Sequence, residues 1–232
     1  MTDGSPTVAL IHATPASMGP ARTAFAEHFP QAQLWNLLDD LLISQAEAAG
    51  GVSPPLRHRM LTLIRHAVDG GADAVLLSCS MYGPVAVEVA SQYGLPVLAS
   101  DQALFDAVSD QVARSGATRI AVLGPVPAGV QDTVARLRAH LVQGGNPGVR
   151  LDGVVVPGAR DATTSENLVA LERVVVAAAQ QVEPDTDIIV LGQFSIAPAQ
   201  PAAQAAVSVP VLSPPQLAAD VLRAHLTTQV SR

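Results

Sequence analysis

A single cysteine, Cys79, is the residue of this chain best suited to acid–base or nucleophilic chemistry. It lies in the run Leu-Leu-Ser-Cys-Ser-Met-Tyr-Gly, residues 76–83, directly after a stretch with the character of a buried strand. A cysteine between a strand end and a helix start receives backbone N–H groups and the positive end of the helix dipole, and both favour the thiolate. Because a reduced cysteine is more often a small buried hydrophobe, it is the position of Cys79 that makes it a candidate catalytic acid or base.

The segment around Cys79 recurs in the second half of the chain with glutamine in place of the cysteine. Residues 73–106 align with residues 187–220 at a constant shift of 114 positions, and Cys79 then corresponds to Gln193. The first apolar run of the chain recurs as well, at a shift of 112 positions. The chain therefore consists of two related halves, and the two loops are predicted to be equivalent.

Residues close to the predicted strand ends complete the candidate site. Two follow the first strand, three follow the cysteine, and three occupy the equivalent loop of the second half. An amide, a hydroxyl and backbone N–H groups in that second loop can hold a carboxylate or an enediolate oxygen, although an amide does not transfer protons at neutral pH. The candidate substrate-binding residues are His12, Thr14, Ser80, Met81, Tyr82, Gln193, Phe194 and Ser195.

Several of these residues also have a purely structural interpretation. His12 and Thr14 can belong to an ordinary turn, and Gln193 can cap its own loop. Phe194 can pack in the core, while Tyr82 either supplies a hydroxyl to a pocket or covers the start of a helix. No group of His, Asp and Glu residues has the spacing of metal ligands, so we expect no catalytic metal.

The composition excludes several classes of function. The chain has 232 residues, of which 49% are hydrophobic, 14% charged and 3% aromatic, as is typical of a compact α/β protein. A net charge of −7 with few aromatic residues argues against nucleic-acid binding, so a small molecule is the expected partner. All 13 basic residues are arginine, and a chain without lysine cannot form an internal Schiff base with pyridoxal phosphate. We expect no cofactor.

The start of the chain and its cysteine content suggest a compartment. Residues 1–6 lack the basic and then apolar pattern of a signal peptide, and one cysteine cannot form an internal disulfide. The longest apolar stretches fall well short of the roughly 20 residues that a membrane helix needs. We therefore expect a cytoplasmic protein with no membrane partner.

Eight short runs of β-branched residues, bounded by Gly, Pro or Asp, predict strands. Their continuous apolar character is typical of parallel strands covered on both faces. Helical periodicity predicts helices between them, one of which opens at Pro54 with Ser53 as its cap. Thr163 and Glu166 are predicted to form a capping box for a helix of the second half. The runs are residues 8–11, 34–38, 74–77, 97–98, 120–123, 153–156, 188–191 and 209–212.

Alternating strands and helices predict the fold class. Each half has four strand–helix units, which right-handed crossovers wind into a doubly wound α/β lobe around a four-stranded parallel sheet. Ligands of such sheets bind beyond the carboxyl ends of the strands, at the point where the strand order reverses. We therefore expect two pseudo-symmetric lobes with the site in the cleft between them. The first strand of neither half is followed by a glycine-rich nucleotide-binding loop.

These features together resemble the aspartate/glutamate/hydantoin racemase superfamily. The segments that carry the resemblance are residues 10–15, 73–80, 187–195 and 209–213, and it covers nearly the whole chain. The resemblance implies a pseudo-symmetric pair of α/β/α lobes, the last helix of which crosses back onto the first lobe. The implied domains are residues 1–99 with 213–232, and residues 100–212. It also implies dimers or larger assemblies, and cofactor-independent proton transfer between two cysteines.

The chain departs from that pattern because Gln193 occupies the position of the second cysteine. The resemblance therefore predicts a racemase-like isomerase that acts on a small carboxylate through the thiolate of Cys79. One alternative is a decarboxylase that needs a single protonation, as in arylmalonate decarboxylase, a relative whose cysteine belongs to the other half. A second alternative, from a different class, is a binder of small carboxylates that has no turnover.

Overall fold

The computed structural model describes residues 5–229, and the elements below are those of this part of the chain. Its strands are β1 Thr7–His12, β2 Gln33–Leu38, β3 Ala74–Leu77, β4 Val97–Leu98, β5 Arg119–Gly124, β6 Arg150–Val155, β7 Ile188–Leu191 and β8 Val211–Leu212. Its α-helices are α1 Met18–His28, α2 Leu41–Ala48, α3 Pro54–Asp69, α4 Gly83–Val89, α5 Gln102–Ser115, α6 Pro127–Gln143, α7 Ala159–Thr164, α8 Leu168–Val182, α9 Gln200–Ala206 and α10 Pro214–Gln229.

The strands form two separate four-stranded parallel sheets. The strand orders are β2-β1-β3-β4 and β6-β5-β7-β8, so the second sheet repeats the topology of the first. In both sheets the order reverses between the first and third strands, which pair in parallel as β1 with β3 and β5 with β7. The predicted class, two doubly wound α/β lobes each built on four parallel strands, is confirmed. The central strands β3 and β7 are buried along their whole length, which explains their continuous apolar sequences.

The chain divides into two compact units. One unit comprises the chain up to Gln102 and again from Pro215 onward, and the other is the continuous segment Ala103–Pro214. Within the first unit, α10 contacts α1 through His28 Nδ1, which lies 3.1 Å from Asp220 Oδ2. The last helix of the chain thus packs on the unit that contains Cys79.

The repeat in the sequence has a physical cause in the strand ends. Asp73 Oδ2 accepts a hydrogen bond from the backbone N–H of Thr7 at 2.7 Å, just before β3 pairs with β1. In the second unit, Asp187 Oδ2 accepts from the N–H groups of Thr118 and Arg119 at 2.8 and 2.9 Å. The repeated aspartate therefore satisfies backbone donors that the sheet leaves unpaired at the edge where the first strand begins.

Because those N–H groups stabilise its charged form, the pKa of Asp187 is held below 3.8. A depressed carboxyl pKa contributes stability above its unfolded value, and this contribution is lost as the pH falls through the folded pKa. We expect Asp187→Asn to lower the free energy of unfolding by about 1 kcal/mol at neutral pH, and the deficit to shrink in acid. Urea unfolding of both proteins at neutral pH and below pH 3.8 measures this.

Asp185→Asn is the matched control, since Asp185 is an exposed carboxylate whose partner, Arg119, is also exposed. Surface pairs of this kind contribute little, so its loss should stay within about 0.5 kcal/mol at either pH. A deficit of equal size in both variants, or one that persists in acid, contradicts the assignment.

Two of the predicted helix starts differ in the structure. Ser53 stands at the cap position of α3, but its side chain makes no capping hydrogen bond. The capping box predicted at Thr163 and Glu166 is wrong, because Thr163 lies inside the short helix α7. Asn167 instead caps α8 by accepting a hydrogen bond from the N–H of Ala170 at 3.0 Å. The error arose because a helix of only six residues separates β6 from α8.

One glycine in the first unit is required by a close approach of its neighbours. A Cβ atom on Gly70, at the end of α3, would lie 2.6 Å from Cζ3 of Trp35, the only tryptophan, and 3.1 Å from the carbonyl oxygen of His66. We expect Gly70→Ala to displace the indole ring and to lower the free energy of unfolding by about 1–3 kcal/mol. Urea unfolding measures the loss, and the native tryptophan emission should change.

The control for this substitution is Gly19→Ala in α1, where a Cβ meets no other atom within 4 Å. That change should be neutral or slightly stabilising, since alanine favours helices more than glycine does. Unchanged emission in Gly70→Ala would show that the indole does not constrain this position.

No helix among residues 5–229 combines the length and apolar character needed to cross a membrane.

Candidate active site

The carboxyl edge of the first sheet carries polar side chains beyond all four strands. His12 ends β1, Asp39 follows β2, and Ser78 and Cys79 follow β3, while Ser100 lies two residues after the end of β4. Since β1 and β3 are neighbours at the reversal of strand order, His12 and Ser78 meet at the switch point of the sheet. The predicted association of the first strand end with the Cys79 loop is therefore present within this unit.

Cys79 is held at the first position outside the sheet. The N–H of Ser78 still donates to the carbonyl oxygen of Ile11 at 3.0 Å, which continues the pairing of β3 with β1. Cys79 has extended backbone angles, and its carbonyl accepts from the N–H of Tyr82 at 3.1 Å as a short 3₁₀ turn, Ser80–Tyr82, begins. The residue is 8% exposed. Its backbone is thus constrained on both sides by hydrogen bonds.

His12 is not at a ligand-accessible surface within its unit, in contrast to the expectation from its place after β1. Its side chain has no exposed area, and burial lowers the pKa of its imidazole, opposed by a hydrogen bond with Asn36. Nδ1 lies 2.9 Å from Ser17 Oγ and 2.8 Å from Ser78 Oγ, and Nε2 lies 3.0 Å from Asn36 Oδ1. A neutral histidine therefore links β1, β2 and β3 at their carboxyl ends.

Tyr82 covers the Cys79 loop from inside the unit. Its side chain is fully buried, and its hydroxyl donates to the carbonyl oxygen of Leu42 at 3.0 Å. Burial, followed by the negative charges of Cys79 and Asp39, raises the pKa of Tyr82 to about 12. Of the two interpretations of Tyr82, the structure therefore favours the packing role.

An ion pair lies on the same side of the first unit. Arg59 of α3 binds Asp39 with two nitrogens, Nε at 2.5 Å and the second terminal nitrogen at 2.7 Å, and its remaining nitrogen donates to Gln45 Oε1 at 3.2 Å. Asp39 is largely buried, while Arg59 remains partly exposed. This bidentate pair joins the end of β2 to α3.

The other predicted residues of the first unit occupy the two turns beside Cys79. Thr14 is half-buried and caps the turn Pro15–Ser17, where its hydroxyl accepts from the N–H of Ala16 at 3.4 Å. Ser80 is half-buried, and Met81 is partly buried against the hydrophobic core. Ser80 and Met81 thus directly follow Cys79 in its turn, whereas Thr14 belongs to the turn after β1.

In the second unit, Gln193 follows β7 as Cys79 follows β3. Its amide lies against the start of α6, where Gly129 leaves the necessary room: a Cβ there would be 2.8 Å from Gln193 Cδ and would overlap Nε2. Gly124, at the end of β5, also leaves room for this amide, since a Cβ there would lie 3.4 Å from Gln193 Oε1. Gln193 Oε1 is buried and makes no hydrogen bond with the described residues. A buried acceptor of this kind is suited to a ligand or water donor.

Phe194 and Ser195 lie in the six-residue 3₁₀ helix Phe194–Ala199 that follows Gln193. Phe194 is 2% exposed, so within this unit it packs rather than lines a surface. Ser195 is half-buried. The start of α6 has a valine at its cap position, so that position supplies no side-chain acceptor for the first N–H groups of the helix. This unit offers an amide, a hydroxyl and backbone donors, but no titratable group in the Gln193 loop.

Four residues of this site escaped the sequence analysis: Ser17, Asn36, Asp39 and Arg59. Asn36 lies within β2 and Asp39 directly follows it. Asp39 directly follows a predicted strand, which is the position used to find Cys79, so the same rule could have found it. Ser17 and Arg59 carry no such signal, because their contacts join segments far apart in sequence.

Among residues 5–229, no group of three or more His, Cys, Asp or Glu side chains is arranged to hold a metal ion.

The sequence profile of the Asp/Glu/hydantoin racemase family matches residues 7–222, more than nine-tenths of the chain. The chain belongs to this family. The family is enzymatic, and the match covers both sheets, including the Cys79 and Gln193 loops. No curated protein sequence matches the chain significantly.

Solved structures of racemases share the fold. Glutamate racemase from Francisella tularensis in complex with D-glutamate is 12% identical, with a TM-score of 0.67 over 97% of this chain and 82% of that one. Allantoin racemase from Klebsiella pneumoniae is 18% identical, with a TM-score of 0.66 over 97% and 89% of the two chains. A glycine-to-cysteine variant of arylmalonate decarboxylase with an associated sulfate ion is 21% identical, with a TM-score of 0.62 over 94% of each chain. At these identities the likeness shows the fold alone.

Proposed function

We propose that this protein is a cofactor-independent isomerase of the racemase type, which acts on a small carboxylate substrate through the thiolate of Cys79. The observation that carries the proposal is the position of Cys79, at the switch-point edge of a doubly wound sheet and under backbone constraint on both sides. Thiolates are effective acid–base groups near neutral pH, since a modest fall in the thiol pKa makes both protonation states available.

In the proposed reaction, Cys79 removes the proton from the carbon next to the carboxylate. The negative charge then spreads onto the carboxylate oxygens as an enediolate, which needs hydrogen-bond donors. A water molecule then returns a proton to the opposite face of that carbon, because the chain has no second thiol to do so. Backbone N–H groups, with the hydroxyls of Ser80 and Ser195, are the donors we assign to this charge. The amide of Gln193 adds an N–H donor and, through its buried Oε1, an acceptor for an N–H group of the substrate.

A decarboxylase is the second candidate, and Gln193 is the observation that favours it. Racemisation exchanges a proton on both faces of the carbon, so it needs a second acid, and an amide cannot serve as one. A reaction that releases carbon dioxide and then protonates the resulting enediolate on one face needs only Cys79. The carbon–carbon bond supplies the electron pair for the enediolate, and the thiol supplies the one proton.

Incubation in deuterated water separates the candidates. Aspartate, glutamate, hydantoins and substituted malonates are each incubated with the protein, and deuterium at the α-carbon and carbon dioxide release are measured. Deuterium with inversion identifies an isomerase, whereas carbon dioxide with a singly deuterated product of one configuration identifies a decarboxylase. Absence of both in the presence of measurable ligand binding would overturn the catalytic proposal in favour of a binding protein.

A further inference from the structure

We propose that His12 is a positioning residue for Cys79, and that it acts through the hydroxyl of Ser78. This inference rests on the proposed function of Cys79 and extends it to a polar cluster in which three of the four side chains are buried. The cluster consists of His12, Ser17, Asn36 and Ser78, and it joins the carboxyl ends of β1, β2 and β3.

Three atoms of the cluster form a closed triangle. His12 Nδ1, Ser17 Oγ and Ser78 Oγ lie 2.8–2.9 Å from one another, and all three side chains are at least 95% buried. A triangle this tight holds three segments in one arrangement: the end of β1, the turn after it, and the turn after β3. The buried polar groups satisfy one another, and such networks fix a unique local geometry.

The proton positions follow from the acceptors around the triangle. Because Nε2 faces Asn36 Oδ1 and burial keeps His12 neutral, Nε2 carries the proton and Nδ1 accepts. The hydroxyl of Ser17 shares its proton between the carbonyl oxygen of Thr14 at 2.9 Å and Ser78 Oγ at 2.8 Å, so the third edge, from Ser17 Oγ to Nδ1, is a close contact with no proton of its own. Ser78, whose backbone acceptor at Ile11 is 3.4 Å away, is then the hydroxyl that donates to Nδ1. The hydrogen bond with Asn36 therefore determines which ring nitrogen of His12 carries the proton. This tautomer in turn determines that the Ser78 hydroxyl donates to Nδ1.

Ser78 is the residue that links the geometry of this cluster to the backbone of Cys79. It is covalently joined to Cys79, and its N–H, one residue past the end of β3, still pairs with β1. With the Ser78 side chain tied to His12, the backbone leaves the sheet in one direction, into the turn in which the carbonyl oxygen of Cys79 accepts from the N–H of Tyr82 at 3.1 Å.

The test measures the reactivity of Cys79 without requiring a known substrate. Since Cys79 is the only cysteine, iodoacetamide alkylation followed by mass spectrometry reports it alone. The alkylation rate is measured from about pH 5 to about pH 10, which gives the midpoint of thiolate formation. We expect Ser78→Ala to change the rate at neutral pH by about tenfold and to shift this midpoint, since small displacements of a reactive group have large effects.

Ser17→Ala is the matched control, because it removes the other hydroxyl of the same triangle from a segment that is not joined to Cys79. Its rate should stay within about twofold of the parent protein and its midpoint should not move. Asn36→Ala, at an exposed position, removes the group that sets the tautomer. It should shift the midpoint in the same direction as Ser78→Ala, and it keeps the test decisive if Ser78→Ala does not fold.

The outcomes separate positioning from simple stabilisation. If Ser78→Ala and Ser17→Ala lose similar stability in urea while both midpoints stay unchanged, the cluster only stabilises the fold and the positioning role is overturned. A reactive Cys79 in the parent protein would in that case leave the proposed function standing. Native Cys79 that resists alkylation, but reacts after unfolding, would overturn the proposed function and this inference together.

Discussion

Replacement of Cys79 by alanine should abolish turnover of whichever carboxylate the protein converts, with kcat/KM falling by at least about 10³-fold. The reason is that Cys79 is the only group we assign to proton transfer, and removal of such a group removes its whole contribution to the transition state. A fall of this size corresponds to about 4 kcal/mol of lost transition-state stabilisation. The measurement is the rate of deuterium incorporation or carbon dioxide release under saturating and limiting substrate.

The fold should survive this substitution, because Cys79 is a small side chain at the margin of the core with 8% of its surface exposed. Urea unfolding of Cys79→Ala should therefore differ from the parent by no more than about 1–2 kcal/mol. Cys79→Ser is the companion variant, since it keeps the size of the side chain but replaces the thiol by a much weaker acid. Turnover within tenfold of the parent in either variant would exclude Cys79 as the proton-transfer group.

Introduction of a thiol by Gln193→Cys should add a second proton-transfer group at the position equivalent to Cys79 in the internal repeat. Gln193 follows β7 as Cys79 follows β3, at the shift of 114 positions that relates the two strands. If the parent protein protonates one face of its intermediate, the variant should release product of mixed configuration. We expect racemisation to rise at least about tenfold over the parent rate.

Ser195→Cys is the control for this gain, since it places a thiol two residues away in the same 3₁₀ segment. It should leave the configuration of the product unchanged. Chiral chromatography of the products from all three proteins provides the measurement. A product of single configuration from Gln193→Cys, with Cys79 still reactive and the fold intact, would show that position 193 does not take part in proton transfer.

Much of the fold was predictable because its signals are local. The strands β3 and β7 read as continuous apolar runs since both their faces are covered, and Asp73 and Asp187 mark equivalent strand starts since each satisfies the same unpaired N–H groups. Because the chain contains an internal repeat, each of these sequence patterns occurs in both halves. The capping box at Thr163 was predicted wrongly where the second half inserts a short helix and local sequence supports two interpretations.

The position of Cys79 was predictable for a similar reason, since a residue that follows a buried parallel strand must lie at the carboxyl edge of its sheet. The burial of His12 and its hydrogen-bond partners were not predictable from the sequence. Its sequence position predicts the same edge, but only the strand order β2-β1-β3 places Asn36 on one side of the imidazole and Ser78 on the other. These partners lie 24 and 66 residues away from His12.

By itself, the sequence determined the two-lobed α/β architecture, the equivalence of positions 79 and 193, and the presence of one thiol where its relatives in the superfamily pattern have two. Those properties follow from residue type and periodicity along the chain. Only the tertiary structure decided that His12 is a buried neutral link, that Asp39 is paired with Arg59, and that the Gln193 amide rests against Gly129. These contacts depend on which strands and helices become neighbours, and neighbours in space are set by the packing of the whole unit rather than by local sequence.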